Sequence, residues 1–243
     1  MELAPGIVVV GDQTLGLVRA FLVADGTDLT LVDTLQQRTH PFLILAAIRS
    51  MGRSVSDLKR IWLTHAHYTH LCGLAALKEL SGAKVGSHEW EADIVAGHRK
   101  AQRVPILPRR PLRAYIPFQL GLALGVGNHP PCEVDDHLHD EYEEGGLTVF
   151  HTPGHTPGHL AFWSEKHKVL LSGDAIVTWP ELAGGWDSFT LNETQRGASL
   201  RLMAALNPDK VGVGHGSPIT EKTAEVVDGL ADEGHKALGW HAG

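Results

Sequence analysis

The segment Thr64-His65-Ala66-His67-Tyr68-Thr69-His70 places three imidazoles within six residues. His65 and His67 are two apart, so on an extended backbone their side chains point the same way. His70 lies where the next apolar pattern opens a helix. Neutral imidazole is the commonest protein ligand for metals, so this spacing suits ion capture; a histidine capping a helix is the plainer alternative. A second segment, His151-Thr152-Pro153-Gly154-His155-Thr156-Pro157-Gly158-His159, carries two Pro-Gly pairs that force tight turns and present His155 from a sharply bent loop. His151 and His159 stand at the ends of the flanking strands, where supporting or structural roles suit them. Ser172-Gly173-Asp174 and Gly214-His215-Gly216 each follow an apolar run. An Asp or His in such a place is ordinary by itself, but four such loops in one chain point to a shared site. Three His plus a carboxylate or water is the ligand set of a catalytic zinc centre.

The elements that must position these residues are short. Strands are expected at 6–10, 17–23, 29–33, 60–64, 84–88, 136–140, 147–151, 159–163, 168–172 and 210–214, each bounded by turn residues. Helical patterns cover about 41–51, 70–80, 89–100, 193–206 and 219–236. An internal echo links the halves. LTLVDT (29–34), a helix and RIWLTHAH (60–67) parallel KVLLSGDA (168–175), a helix and KVGVGHGS (210–217). Strand ends at one edge of an open sheet are where ligands usually sit. Residues 99–131 hold Pro105, Pro108, Pro111, Pro117, Pro130 and Pro131 and follow neither period. They form a lid-like insertion in a single domain spanning 1–243. Its Arg99, Lys100, Arg103, Arg109, Arg110 and Arg113 either attract an anionic substrate or balance Asp140, Glu141, Glu143 and Glu144 as a solvated face. A second insertion follows Asp174, where Trp179 and Trp186 wall the pocket or anchor the loop.

Bulk properties narrow the class. Hydrophobic content of 43% and charged content of 20% are those of a globular protein. A net charge of −7 disfavours nucleic acid and anionic membrane as partners and leaves a small-molecule substrate. No apolar run reaches the length of about 18 residues that a spanning helix needs. The first residues lack the basic stretch of a secretory signal. Two cysteines without a CxxC pairing fit a reducing cytoplasm, and Cys72 suits a small buried position. His235 and His241 are expected in solvent. The Trp-rich and Pro-rich insertions would suit a homodimer contact.

Together the four loops resemble the metallo-β-lactamase superfamily, whose pattern is HxHxDH, a TPGHT loop, an Asp after a strand and a GHG histidine. The resemblance implies an α/β fold, a four-layer αββα sandwich with metals at one edge between two sheets. Carried over, His65, His67 and His155 would bind one metal, His70 and His215 a second, and Asp174 both. Asp33 matches an aspartate that orients the site. Thr69 departs from the pattern by standing where the family has an aspartate. A threonine hydroxyl is neutral and a poor ligand, though both residues cap helices well. One negative charge is lost, so the expected centre has one tight Zn2+ site and a second that is weak or absent, with Fe or Mn as other candidates.

The implied chemistry is hydrolysis of an ester, thioester or lactone by a metal-held hydroxide, with Asp174 and His215 in the catalytic group. Tyr68 is a candidate donor to a developing oxyanion. The HTPGHTPGH loop is similar to that of hydroxyacylglutathione hydrolases. Those enzymes carry a further C-terminal region, whereas this chain ends 28 residues after His215, and the 99–131 insertion is more like that of lactonases. A different class, persulfide dioxygenase, would use His65, His155 and Asp174 around one iron. A weakly active metal-binding relative is the third expectation.

Overall fold

Strand by strand, alternating apolar side chains face two different cores, which forces a layered architecture. The computed structural model describes residues 1–11, 17–36, 41–101, 111–112, 115–116, 119–120 and 128–237, with side chains to 232. A seven-stranded sheet runs β1 (Glu2–Ala4), β2 (Ile7–Gly11), β3 (Arg19–Asp25), β4 (Asp28–Val32), β5 (Leu58–Trp62), β6 (Lys84–Ser87) and β7 (Asp136–His137), neighbours in that order. A five-stranded sheet is ordered β12 (Lys210–Val213), β11 (Val169–Gly173), β10 (Leu160–Ser164), β9 (Leu147–His151) and β8 (Glu143–Glu144).

In β3, Ala20 and Leu22 enter one core, with Leu29, Leu31, Ile44, Ile48 and Ile61. Phe21 and Val23, on the opposite face, meet Val32, Trp62, Leu160, Phe162 and Leu171 between the sheets. The rings of Trp62 and Phe162 stack at 5.5 Å across that interface. Ala161, Trp163 and Leu170 face outward and pack against Leu200, Met203, Val227 and Leu230. The last four belong to helices α5 (Glu193–Ala205) and α6 (Thr223–Ala237). The period-two alternation thus generates three cores and four layers, αββα. Strands buried on both faces read as continuous apolar runs, which is why they stand out in the sequence.

The internal echo has a structural counterpart. β4 and β5 are parallel, joined through α1 (Pro41–Ser50), and β11 and β12 are parallel, joined through α5. The strand ends after β4, β5, β11 and β12 carry Asp33, His65, Asp174 and His215.

Local differences from the sequence expectations have physical causes. The single helix expected over 70–80 is two: α2 (Tyr68–Leu71) and α3 (Leu74–Ser81). The carbonyl of His70 accepts hydrogen bonds from the Thr34 amide (2.9 Å) and hydroxyl (2.7 Å) instead of continuing the helix. His67 is the N-cap of α2 and makes no side-chain cap bond, so Thr69 lies inside the first turn and is not the expected cap. The helix expected over 89–100 is α4 (Glu89–Val95), followed by Gly97 at φ +77°. The strand expected at 136–140 stops at His137, where Glu141 takes φ +62° and turns the chain into β8. β8 and β9 then form a hairpin through Gly145 and Gly146, both at positive φ. Arg103, Arg109, Arg110, Arg113 and His241, and most of the 99–131 insertion, lie outside the described residues, as does the side chain of His235. Arg99 is described and holds its guanidinium 3.9 Å over the Trp90 ring. Neither cysteine is in a disulfide. Among the described residues no helix is long and apolar enough to cross a membrane.

Candidate metal centre

Five loops from the two sheets converge at one edge. Ligand-capable atoms of His65, His67, His155 and Asp174 lie within 4.8 Å of one another, and so do those of His70, Asp174 and His215. All six residues are buried. His67 Nδ1 stands 3.0 Å from both His65 Nε2 and His155 Nε2. Asp174 Oδ2 lies 3.3 Å from His215 Nε2, 3.6 Å from His155 Nε2 and 3.8 Å from His65 Nε2, and its Oδ1 lies 3.5 Å from His70 Nε2. Gly214 makes room for this carboxylate, because a Cβ there would fall 2.0 Å from Oδ1. Tyr68 is half-buried at the entrance to α2. Trp186 packs its ring 4.6 Å from His215 and donates its indole N–H to the Trp179 carbonyl, so this insertion backs the site.

A hydrogen-bond chain fixes the tautomers. Asp33 accepts from the Thr64 amide (2.9 Å) and hydroxyl (2.8 Å). With its proton on Asp33, the Thr64 oxygen must accept from His65 Nδ1–H at 2.9 Å. That leaves the lone pair of His65 Nε2 facing the cluster. Asp33 Oδ2 also pairs with His70 Nδ1 at 2.8 Å, which turns His70 Nε2 toward Asp174. One carboxylate thus orients a histidine of each group, the outer support that metal ligands require. Among the sequence candidates, His159 is no ligand. Its Nε2 accepts the Asp174 amide at 3.2 Å, so its Nδ1–H donates to Thr152 Oγ1 at 2.9 Å. His151 stacks on His88 and donates to the Pro157 carbonyl.

Burial drives His65, His67 and His155 below the ordinary imidazole range, His67 to about 4, and neighbouring imidazoles push His65 further. Burial would lower His70 too, but Asp33 and Asp174 outweigh it and raise it to about 10. Burial opposes ionisation of Asp174, yet His215 and His70 hold its carboxyl well below the usual range. At neutral pH His65, His67 and His155 therefore present unprotonated imidazoles beside the Asp174 carboxylate, the state that metal binding needs, whereas His70 keeps its second proton until a cation displaces it. His70 Nε2, His155 Nδ1 and Asp174 Oδ1 are buried without a hydrogen-bond partner. His67 Nδ1, with an imidazole nitrogen 3.0 Å away on either side, can hydrogen-bond with only one of them, and buried polar atoms without partners are costly; a cation among them removes that cost. The residues fit a metal. Asp33→Asn, which keeps the shape but breaks the tautomer chain, is expected to weaken metal affinity by about 10- to 100-fold; chelator competition measures it, and an unchanged affinity would deny Asp33 this role.

Two residues that the sequence motifs did not single out brace the loops. Arg19 donates from Nε to the Gly216 carbonyl (2.8 Å) and from its amide to that of Gly214 (2.8 Å), holding the His215 loop. Glu91 is 1% exposed on α4. It shares the buried stripe of Ile94 and Val95, so a carboxylate at an apolar helical position was its available signal.

Comparison with known proteins agrees with this geometry. A probable metallo-hydrolase of Bacillus subtilis, YflN, is 26% identical over 213 residues, covering 79% of this chain and 76% of its own. The hydroxyacylglutathione hydrolase of Ruegeria pomeroyi is 28% identical over 170 residues, and the match spans 69% of this chain but only 51% of that enzyme. The crystal structure of the metallo-beta-lactamase family protein TTHA1429 from Thermus thermophilus superposes with a TM-score of 0.67 at 27% identity, over 97% of this chain and 81% of that one. A di-iron-bound form of TTHA1623 superposes with a TM-score of 0.63 at 26% identity, over 88% and 94%. The family model of the metallo-beta-lactamase superfamily matches residues 14–215, from before β3 to His215, and the chain belongs to that superfamily.

Proposed function

We propose that this protein is a metal-dependent hydrolase of esters, thioesters or lactones. The observation that carries the proposal is the buried quartet His65, His67, His155 and Asp174, whose ligand atoms lie within 4.8 Å of one another. A divalent ion in such a site lowers the pKa of a bound water to about 7 and polarises a carbonyl. His65, with its lone pair aimed by Thr64 and Asp33, would hold that ion together with His67 and His155, and Asp174 would supply the balancing charge. His215, 3.3 Å from Asp174 and backed by Trp186, would fix the carboxylate's position. Tyr68 would donate a hydrogen bond to a substrate oxygen. The relatives' names, metallo-hydrolase and hydroxyacylglutathione hydrolase, support thioesters and related acyl compounds as the first substrates to try.

Assayed on p-nitrophenyl acetate, γ-lactones and S-acyl glutathione, the enzyme should turn over at least one class. Chelation should abolish the activity and added metal restore it. Metal-loaded protein inactive on all of them would reject the proposal. A second reading, iron-dependent oxidation of a persulfide, is supported by the proximity of His65, His155 and Asp174 and by the di-iron form of a similar protein. Iron content with oxygen uptake on glutathione persulfide would favour it.

The second group, His70, Asp174 and His215, offers three residues where the first offers four, and Thr69 adds no carboxylate. The expected metal content after dialysis is therefore one equivalent of Zn2+, held at the first group, with zinc as the proposed ion. Thr69→Asp should raise the retained content toward two and increase hydrolysis. Two equivalents retained by the native protein would reject the one-site proposal.

A further inference from the structure

We infer that Glu91 is a positioning residue that clamps the two metal-ligand loops of opposite sheets into one site. Its Oε2 accepts the amide of Ala66 (3.2 Å), the residue between His65 and His67. Its Oε1 accepts the hydroxyl of Thr156 (2.6 Å), next to His155, and the amide of Gly158 (3.1 Å), next to His159. One loop follows β5 of the seven-stranded sheet; the other joins β9 to β10 of the five-stranded sheet. The carboxylate therefore spans the gap across which the first group of ligands must assemble. The fit leaves no slack, since a Cβ at Gly158 would come within 2.9 Å of Oε1. A carboxylate is the group suited to this place, because all its partners are donors and both its oxygens accept. A glutamine in the same position sets its NH2 against an amide N–H whichever way it is turned: against Ala66 in one orientation, against Gly158 in the other. An unsatisfied buried donor follows, and relief comes from moving one loop by tenths of an ångström. Ligands displaced on that scale grip an ion less well.

This inference rests on the metal-bearing reading of the cluster, and its test is chosen to separate the two. Zn2+ affinity is measured by chelator competition on native protein, Glu91→Gln, Thr156→Val and, as a control, Glu89→Gln, whose side chain lies on the same helix outside the site. Each protein is also loaded with Co2+ and its visible absorption recorded, because that spectrum reports ligand geometry independently of turnover. Glu91→Gln should weaken Zn2+ binding by about 10- to 100-fold and shift the Co2+ bands. Thr156→Val should move both readouts in the same direction by a smaller factor, and Glu89→Gln should match the native protein. A Glu91→Gln protein that melts earlier yet binds Zn2+ with native affinity and shows the native Co2+ spectrum would overturn the inference, since a merely structural role predicts that pattern. If Glu91→Gln does not fold, unchanged affinity and spectrum in Thr156→Val overturn it instead. Native protein that binds no metal would remove the metal-bearing reading itself, and the clamp with it.

Discussion

Asp174→Asn is expected to lose the bound metal on dialysis and to lower kcat/KM by at least about a thousandfold. Asp174 is the one residue common to both groups of ligands. Its oxygens lie between 3.3 and 3.8 Å from four imidazole nitrogens. Removing a partner outside the ligand set already costs about 10- to 100-fold in affinity or activity, and the loss of a shared charged ligand should exceed that. Asparagine preserves the volume beside Gly214, where there is no room for reorganisation, so the fold should remain. The loss of charge also removes one of the two carboxylates that raise His70. Circular dichroism together with elemental analysis separates the outcomes. A folded variant that keeps its metal and more than about a tenth of native activity would show that Asp174 is not the shared ligand.

The apolar runs and the strand–helix–strand echo made the buried and parallel elements legible, while the four-layer sandwich itself came from the family resemblance of the four loops. His65, Asp174 and His215 were legible because each closely follows an apolar strand, His67 and His70 because they share the motif of His65, and His155 because two Pro-Gly pairs mark its loop. Support from distant sequence was harder to see. Thr64 lies inside the quoted motif, but its role as a relay from His65 to Asp33 depends on a contact across 31 residues. Arg19 reaches Gly216 across 197 residues. Glu91 left only an indirect trace, a charge within a buried helical stripe. Helix ends also depended on tertiary contacts, since the break after Leu71 follows from Thr34 capturing the His70 carbonyl. Periodicity reports which face is buried. It does not report which polar group will claim a carbonyl from another strand.

The metal-free protein is expected to lose stability steeply as the pH falls from about 6.5 to about 4. His67 is lowered to about 4 and His159 to about 3, both by burial, and His65 and His155 are also lowered well below their ordinary value. In that window the unfolded chain binds protons at these residues and the folded chain does not, so unfolding takes up protons and stability falls with pH. A tenfold change in proton affinity is worth about 1.4 kcal/mol, and several buried histidines acting together would be a large fraction of a typical folding free energy. His70 does not offset the loss. Raised to about 10, it is protonated in both states below pH 6.5, and its contribution disappears only as the pH rises from 6.5 through 10. Asp174, held well below its ordinary value, keeps its contribution above about pH 4. The chelated protein should therefore be most stable near neutrality. Bound metal should widen the plateau on the acid side until protons displace it from the imidazoles. Thermal melts at half-unit pH steps, with chelator and with one equivalent of Zn2+, check this. A chelated protein whose melting temperature stays level from about pH 7 to about 4.5 would mean that the histidines are protonated within the fold and that their lone pairs do not face one another.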